Sequence, residues 1–319
     1  MKKTTKVCLI AASLVLLGCI AFVCIMSALK WDFTKLSTVE YETNITEITD
    51  SFSDISIISD TADIGFAFSD DEKCKVECRE EKKAKHSVSV ENGTLNVKVN
   101  NQKSWYDYIG FRFGSQKVTV YLPKKEYNTL CVRGSTGNIE IQNDFTFKNV
   151  DISVSTGNVS FSAAAHEAVR IRTGTGDVRA ENASFGSLDI SVTTGTVTVS
   201  NVTCKGDAAV GVSTGEAYLT DIACENVISA GTTGSISMNR VIAANSFSIE
   251  RSTGDVKFGD CDAAELYIKT TTGIVRGSLL TDKVFITDTK NGDVDVPKTA
   301  NGGRCEIRTS TGDIKIKIA

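Results

Sequence analysis

A short glycine-centred motif recurs ten times between Cys131 and Ala319 and limits the possible folds more than any other feature of the chain. Most copies read Ser or Thr, then Thr, then Gly, then a polar residue. Successive motif glycines are 19 or 20 residues apart over nine consecutive intervals. They stand at Gly137, Gly157, Gly176, Gly195, Gly215, Gly234, Gly254, Gly273, Gly292 and Gly312. A period this strict indicates structural repeats that stack on one another.

The residues around each glycine predict two short strands per repeat. Apolar side chains occupy the second place after the glycine and mostly the fifth and seventh places before it, as Val159, Ile152 and Val150 do around Gly157. Alternation on both sides of a turn is typical of strands, and glycine tolerates the positive φ of a tight corner. One such unit cannot bury its apolar face alone. We therefore predict an all-β, single-domain β-solenoid with two short strands per 19–20-residue coil, roughly 45 Å long at about 4.8 Å per coil.

The threonine before the glycine, present in nine of the ten copies, has two interpretations. In the first, its hydroxyl bonds the local backbone at the corner and its methyl group packs on the next coil, which makes a structural ladder. In the second, the stacked hydroxyls form a flat array that recognises a polymer, a sugar or ice. The turn preferences of Ser, Thr and Asp favour the ladder. The nonapeptide period of calcium-binding repeats is missing, so no calcium site is predicted.

The amino terminus predicts a membrane anchor. Residues Val7 to Leu29 are 23 uncharged, mostly apolar positions, which is long enough for one transmembrane helix. Three lysines precede this span within residues 1–6, and this bias predicts a single-pass protein of the cell membrane with a cytoplasmic amino terminus and an extracytoplasmic carboxy-terminal domain. The predicted divisions are a cytoplasmic segment at 1–6, the anchor at 7–29, a spacer at 30–50, an irregular β capping region at 51–130 and the solenoid repeats at 131–319.

The anchor has an alternative interpretation, because Leu16-Leu17-Gly18-Cys19 resembles a lipoprotein processing box in which Cys19 becomes the lipidated first residue. The apolar run continues to Leu29, where a lipoprotein turns polar, and this favours an uncleaved helix. Both alternatives tether the repeats to a membrane.

An aromatic cluster interrupts the capping region and is the candidate binding patch of the chain. It consists of Trp105, Tyr106, Tyr108, Phe111 and Phe113. The favoured interpretation is a cover folded over the open end of the core, because exposed strand edges need protection. The functional interpretation is an aromatic patch that binds sugar or protein.

The ten cysteines do not indicate a metal or redox site. Cys204 and Cys224 each follow a motif glycine by nine residues, so stacking places them about 5 Å apart, a distance that permits a disulfide or two neighbouring inward thiols. Cys74 and Cys78 would share a strand face, but a zinc site needs two further ligands, which the sequence does not reveal. No metal site is therefore predicted.

Composition and motifs argue against several classes of function. Residues 36–319 hold 30 basic and 38 acidic side chains without a basic stripe, so nucleic acid is not an expected partner. The chain shows no nucleophile elbow, no phosphate-binding loop joined to a helix and two histidines in all. We therefore predict no catalytic residue, no cofactor and no enzymatic activity.

The order of these parts resembles the bacterial putative-adhesin family of β-strand-repeat proteins, a domain-of-unknown-function family. The matching pieces are the anchor, the Ser59–Ile64 turn, the segment Val118–Pro123 with Tyr127 after it, and the run of Ser-Thr-Gly repeats. The resemblance covers roughly residues 40 to 319. It implies a β-solenoid on a bacterial cell envelope and offers no catalytic residues.

Three functions follow from these observations, in decreasing order of support. The first is a membrane-anchored, extracytoplasmic and non-enzymatic adhesin or envelope-binding protein, whose partners are the membrane and a cell-wall polymer, a surface polymer or an envelope protein. The second is a regulatory or scaffold partner of a membrane or envelope-stress system. The third is a glycan-processing β-helix enzyme, which the short and uniform coils disfavour.

Overall fold

The computed structural model describes residues 3–110, 112 and 114–319, and most of these residues lie in β-strands. Helix α1 spans Lys3–Ala28, and its part Thr5–Ala28 is long and apolar enough to cross a membrane. A 3₁₀ turn at Phe33–Leu36 separates the helix from the first strand.

The strands fall into a short amino-terminal set and a long repetitive set. The first set comprises β1 (Tyr41–Ile48), β2 (Asp54–Thr61), β3 (Asp63–Phe68), β4 (Cys74–Glu81), β5 (Ala84–Glu91), β6 (Thr94–Asn101), a 3₁₀ turn (Trp105–Tyr108) and β7 (Lys117–Leu122). The second comprises β8 (Glu126–Thr136), β9 (Ile139–Ile141), β10 (Thr146–Thr156), β11 (Val159–Phe161), β12 (Ala164–Thr175), β13 (Val178–Thr194), β14 (Val197–Cys204), β15 (Ala208–Thr214), β16 (Ala217–Thr233), β17 (Ile236–Thr253), β18 (Val256–Cys261), β19 (Glu265–Thr272), β20 (Val275–Leu279), β21 (Lys283–Asn291), β22 (Val294–Asp295), β23 (Gly303–Thr311) and β24 (Ile314–Ile318).

The repeats stack as parallel coils, which confirms the predicted β-solenoid. The strand before each corner pairs in register with the same strand of the next coil, so Ile152 lies between Val132 and Ile171. The strand after the corner does the same, and Val159 pairs with Ile139 and Val178. The inward-facing apolar positions therefore form one continuous core along the rod.

Each central coil also has a second bend, six residues after the motif glycine, which the sequence analysis did not identify. The residue at this bend has a φ between 51° and 54°. These residues are Asn182, Asn201, Asp221, Arg240 and Asp260. Asn and Asp tolerate the left-handed region better than most residues, which explains four of these five identities. The long strands β13, β16 and β17 run through this bend and join two faces of the rod.

The order of coils in space differs from the order along the chain at both ends of the rod. The coil β2–β3 lies between β6–β7 and β8–β9, and the coil β23–β24 lies between β19–β20 and β21–β22. Regular stacking thus begins at Asp54, inside the region predicted as an irregular cap. Ala62 takes the place of the corner glycine there, because its carbonyl oxygen lies under the corner of Gly137.

Antiparallel strands close the amino-terminal end of the core. β4 runs antiparallel to β7, β5 runs antiparallel to β6, and β1 covers β4. At the opposite end of the rod the outermost coil is β21–β22. Its core-facing residue Val294 is 45 % exposed. We call the antiparallel strands β1, β4 and β5 the cap. The other end of the rod has no such strands and ends in an open coil within the described residues.

Cys204 and Cys224 are buried free thiols in adjacent coils. Burial raises the pKa of Cys204 to about 12 and that of Cys224 to about 11. Of the two predicted arrangements, the structure has the neighbouring inward thiols.

The corner glycines allow the coils to approach closely. Gly215 has a φ of 131°, and a Cβ placed on it would lie 1.9 Å from the carbonyl oxygen of Gly195. The same clash, with an oxygen at about this distance, occurs at the other motif glycines. Any side chain at this position would therefore force neighbouring coils apart at the corner.

We predict that Gly215→Ala lowers the free energy of unfolding by at least ~2 kcal/mol, because the substitution combines backbone strain with a clash against backbone. The measurement is the urea midpoint of the full chain in detergent. The control is Gly259→Ala, since a Cβ at Gly259 would lie 3.8 Å from the nearest atom of Asn239. A Gly215→Ala midpoint equal to that of the control would contradict the prediction.

Candidate functional site

The nine threonines that precede corner glycines form one exposed column along the rod together with Thr61, which precedes Ala62. Strand pairing places them in register from coil to coil, about 4.8 Å apart. The column consists of Thr61, Thr136, Thr156, Thr175, Thr194, Thr214, Thr233, Thr253, Thr272 and Thr311. All ten side chains are exposed. We call this column the hydroxyl edge.

The hydroxyl edge does not form the ladder of hydrogen bonds to the backbone that the sequence analysis favoured. Within the described residues, none of its ten hydroxyls bonds another protein group. The residue after the glycine makes the ladder instead. The Thr196 N–H donates to Asp177 Oδ1, and the Asp177 N–H donates to Asn158 Oδ1, both at 2.8 Å. The threonine hydroxyls are therefore left for water or a ligand.

A second line of exposed hydroxyls widens this surface on one side. It contains Ser135, Ser155, Thr193, Ser213, Thr232, Ser252 and Thr271. Both lines bend around the same corner, so their hydroxyls face solvent in the same region of the rod. The arrangement repeats a hydrogen-bonding group at regular intervals over most of the rod's length.

Trp105, Tyr106 and Tyr108 of the aromatic cluster lie in the loop that replaces the tight corner between β6 and β7, of which residues 102–110, 112 and 114–116 are described. Trp105, Tyr106 and Tyr108 are 76 %, 57 % and 53 % exposed, whereas Phe111 and Phe113 lie outside the described residues. The three described rings do not cover the end of the core, which β4 and β5 cover. Because the loop occupies a corner position, it continues the line of the hydroxyl edge past the last regular coil.

Two pockets connect this loop to the rest of the surface. A pocket of about 400 Å³ lies beside Tyr106 and is lined by Lys83, Lys103 and Asp107. The ammonium group of Lys83 lies 2.5 Å from Asp107 and lowers the pKa of that carboxyl group. A second pocket of about 220 Å³ is lined by Thr61 and Thr136 on one side and by loop residues on the other. The loop and the hydroxyl edge therefore form one continuous surface.

The cap also contains a group of potential metal ligands that the sequence analysis did not predict. Potential ligand atoms of Cys78, Glu80 and His86 lie within 4.8 Å of one another. Cys74, which the sequence analysis paired with Cys78, is not in this group. Glu80 and His86 lie on opposite sides of the turn between β4 and β5. Their proximity depends on that turn. The sequence signal that could have suggested this group is Cys-x-Glu followed by a histidine.

A family model described as Toastrack DUF4097 matches residues 52–216 and, a second time, residues 206–319. The chain belongs to this family. The Toastrack match begins two residues before β2, so it includes the coil β2–β3 and the cap strands β4 and β5, but neither α1 nor β1. No curated protein matches the chain.

Several solved structures are similar to this Toastrack protein over most of its length, at low sequence identity. A crystal structure of a putative adhesin from Bacteroides fragilis is 14 % identical with a TM-score of 0.43, over 89 % of this chain and 99 % of that one. A putative adhesin from Parabacteroides distasonis is 10 % identical with a TM-score of 0.46, over 88 % and 98 %. A putative lipid binding protein from the same species is 14 % identical with a TM-score of 0.31, over 86 % and 97 %.

We predict that the residue after the corner glycine stabilises the Toastrack rod through its side-chain oxygen. Asp177→Ala removes the acceptor of the Thr196 N–H and lowers the free energy of unfolding by about 1 kcal/mol. Asp177→Asn keeps the acceptor, as Asn158 does in the preceding coil, and is expected to unfold within about 0.3 kcal/mol of the wild type. Urea denaturation of the three full-length chains measures the difference. Equal losses in both variants would show that charge, and not the hydrogen bond, is responsible.

Proposed function

We propose that this protein is a membrane-anchored, non-enzymatic envelope protein whose rod lies outside the cytoplasm and binds an extended, uncharged polysaccharide along the hydroxyl edge. One observation carries the proposal. Ten threonine hydroxyls are exposed in register, and within the described residues none of them is used by the fold. Each hydroxyl can donate one hydrogen bond and accept others, so the column offers a sugar polymer a repeated set of partners.

The repetition of the surface supports a repetitive ligand. A single exposed hydrogen bond contributes little because water competes for it. Many such contacts in one molecule act together, since after the first contact the others form at high effective concentration. A polymer gains this advantage along the whole edge, whereas a small molecule contacts few coils. Trp105 and Tyr106 add rings with an apolar face and a polar group at the end of the edge.

The charge of the rod supports an uncharged polymer over a polyanion. Residues 36–319 carry an excess of acidic side chains. Several acidic residues, among them Asp177, Glu216 and Asp255, directly follow corner glycines and so flank the hydroxyl edge. A polyanion would be repelled by this flank.

The amino-terminal helix supports the proposed location. The lysines at positions 2, 3 and 6 lie before the apolar segment, and this bias favours a cytoplasmic amino terminus. The helix and the first strand are joined by 12 residues, 29–40, so the cap is the part of the rod nearest to the anchor along the chain.

We predict that removing hydroxyls from the edge weakens binding without loss of the fold. In the triple variant Thr194→Val, Thr214→Val and Thr233→Val, valine keeps the shape and strand preference of threonine and removes the hydroxyl. The full chain in detergent is sedimented with two insoluble, uncharged polysaccharides, chitin and cellulose. We expect binding at least ~10-fold weaker than that of the wild type, which corresponds to about 1.4 kcal/mol.

The control replaces three threonines of the same part of the rod that lie outside the edge, Thr198, Thr203 and Thr220, with valine. Its binding is expected to stay within about twofold of the wild type. Equal binding by both triple variants would contradict a role for the hydroxyl edge. Failure of the wild-type chain to sediment with any polysaccharide would contradict the proposed function itself.

A further inference from the structure

The cap contains a buried group of three side chains with sulfur, oxygen and nitrogen atoms. Cys78 and Glu80 are two residues apart on β4 and point into the same interior, and His86 follows on β5. Their potential ligand atoms lie within 4.8 Å of one another. Cys78 is 2 % exposed, Glu80 is 1 % exposed, and the side chain of His86 is fully buried.

The carboxylate of Glu80 needs a positive partner, because a buried carboxylate without one is very unfavourable. The neighbouring Glu81 is buried to the same degree and has the ammonium group of Lys103 at 2.5 Å. Within the described part of the chain, no Lys or Arg forms an ion pair with Glu80. Its close partners are the backbone N–H of His86 at 2.6 Å and the ring nitrogen Nδ1 at 2.7 Å.

Two neighbouring polar side chains, one exposed and one buried, hold these groups in position. The side-chain amide of Asn44, on β1, donates a hydrogen bond to Glu80 Oε1 at 2.7 Å. The hydroxyl of Ser59, on β2, lies 3.0 Å from His86 Nε2. With Nε2 bound to Ser59, Nδ1 faces Glu80. Supporting hydrogen bonds that orient a histidine and a carboxylate in this way are typical of metal sites.

We propose that Cys78 Sγ, the Glu80 carboxylate and His86 Nδ1 bind one Zn²⁺ ion in the cap. Thiolate, imidazole and carboxylate groups are each zinc ligands, and three protein ligands leave one position of a tetrahedron for water. The ion supplies the positive charge that, within the described residues, no Lys or Arg supplies to Glu80. It also links β4 to β5, so it stabilises the structure that closes the end of the core.

A hydrogen-bonded series runs from Ser59 through His86 to Glu80, in the order of a serine-hydrolase triad. A nucleophile has to reach its substrate. Ser59 is 4 % exposed, and its strand β2 is paired on both edges, with β6 and β8. A metal ion that joins two strands requires no such access, and within the described residues Glu80 has His86 but no Lys or Arg as a partner, which favours the metal.

The test uses the full chain in detergent, loaded with Zn²⁺ or Co²⁺ and dialysed. We expect about one metal ion per chain for the wild type by elemental analysis, as a single three-ligand site requires. The Co²⁺ form should show a thiolate-to-metal charge-transfer band in the near ultraviolet. Cys78→Ser is expected to lose this band, and His86→Gln is expected to bind Zn²⁺ at least ~10-fold more weakly.

The matched control is Cys74→Ser, because Cys74 is buried on the same face of β4 but lies about 13 Å further along the strand. It should keep both the band and the metal content. X-ray absorption of the wild-type zinc form needs no variant to fold, and it should show one sulfur at about 2.3 Å from zinc. A wild-type chain without bound metal, a zinc spectrum without sulfur, or a Cys78→Ser chain that keeps the band would each overturn the proposal.

Discussion

The structure depends on close contact between backbones at the glycine corner. A Cβ on most motif glycines would lie about 2 Å from the carbonyl oxygen of the corner beneath it. Only glycine therefore allows the coils to keep the spacing of a parallel sheet around this turn. The register that results aligns the apolar residues into one core and the side-chain oxygens after the glycine into a ladder. It also aligns the threonines before the glycine into the hydroxyl edge.

Much of the fold could be predicted because each repeat carries its own signals. The glycine period predicted the stacking, and the alternation around it predicted which side chains face inward. The order of coils at the two ends could not be predicted, because in-register pairing is possible with either neighbour. One local signal did exist. The repeat with Lys290 and Asn291 in place of Ser and Thr forms the outermost coil, where no further coil stacks on the corner.

The candidate sites were less predictable than the fold because they depend on contacts between distant parts of the chain. The sequence was enough to pick out the threonines and the aromatic cluster. The structure was needed to learn which of their side chains are exposed and which are hydrogen-bonded. Asp177 and its counterparts bond the backbone, so the threonine hydroxyls are not needed there. Similarly, the turn after β4 brings His86 next to Cys78 and Glu80. The rod thus carries a repeated line of hydroxyls, and the described part of the cap holds one buried group of potential metal ligands.

The most direct test of the account is the side of the membrane on which the rod lies, because a hydroxyl edge can bind an envelope polymer only outside the cytoplasm. A specific protease site and an epitope tag are added after Ala319, and the protease is applied to intact cells, with the outer membrane made permeable where there is one. We expect loss of the tag while a cytoplasmic marker protein stays intact. A tag that is lost only after cell lysis would place the rod in the cytoplasm and would contradict the account.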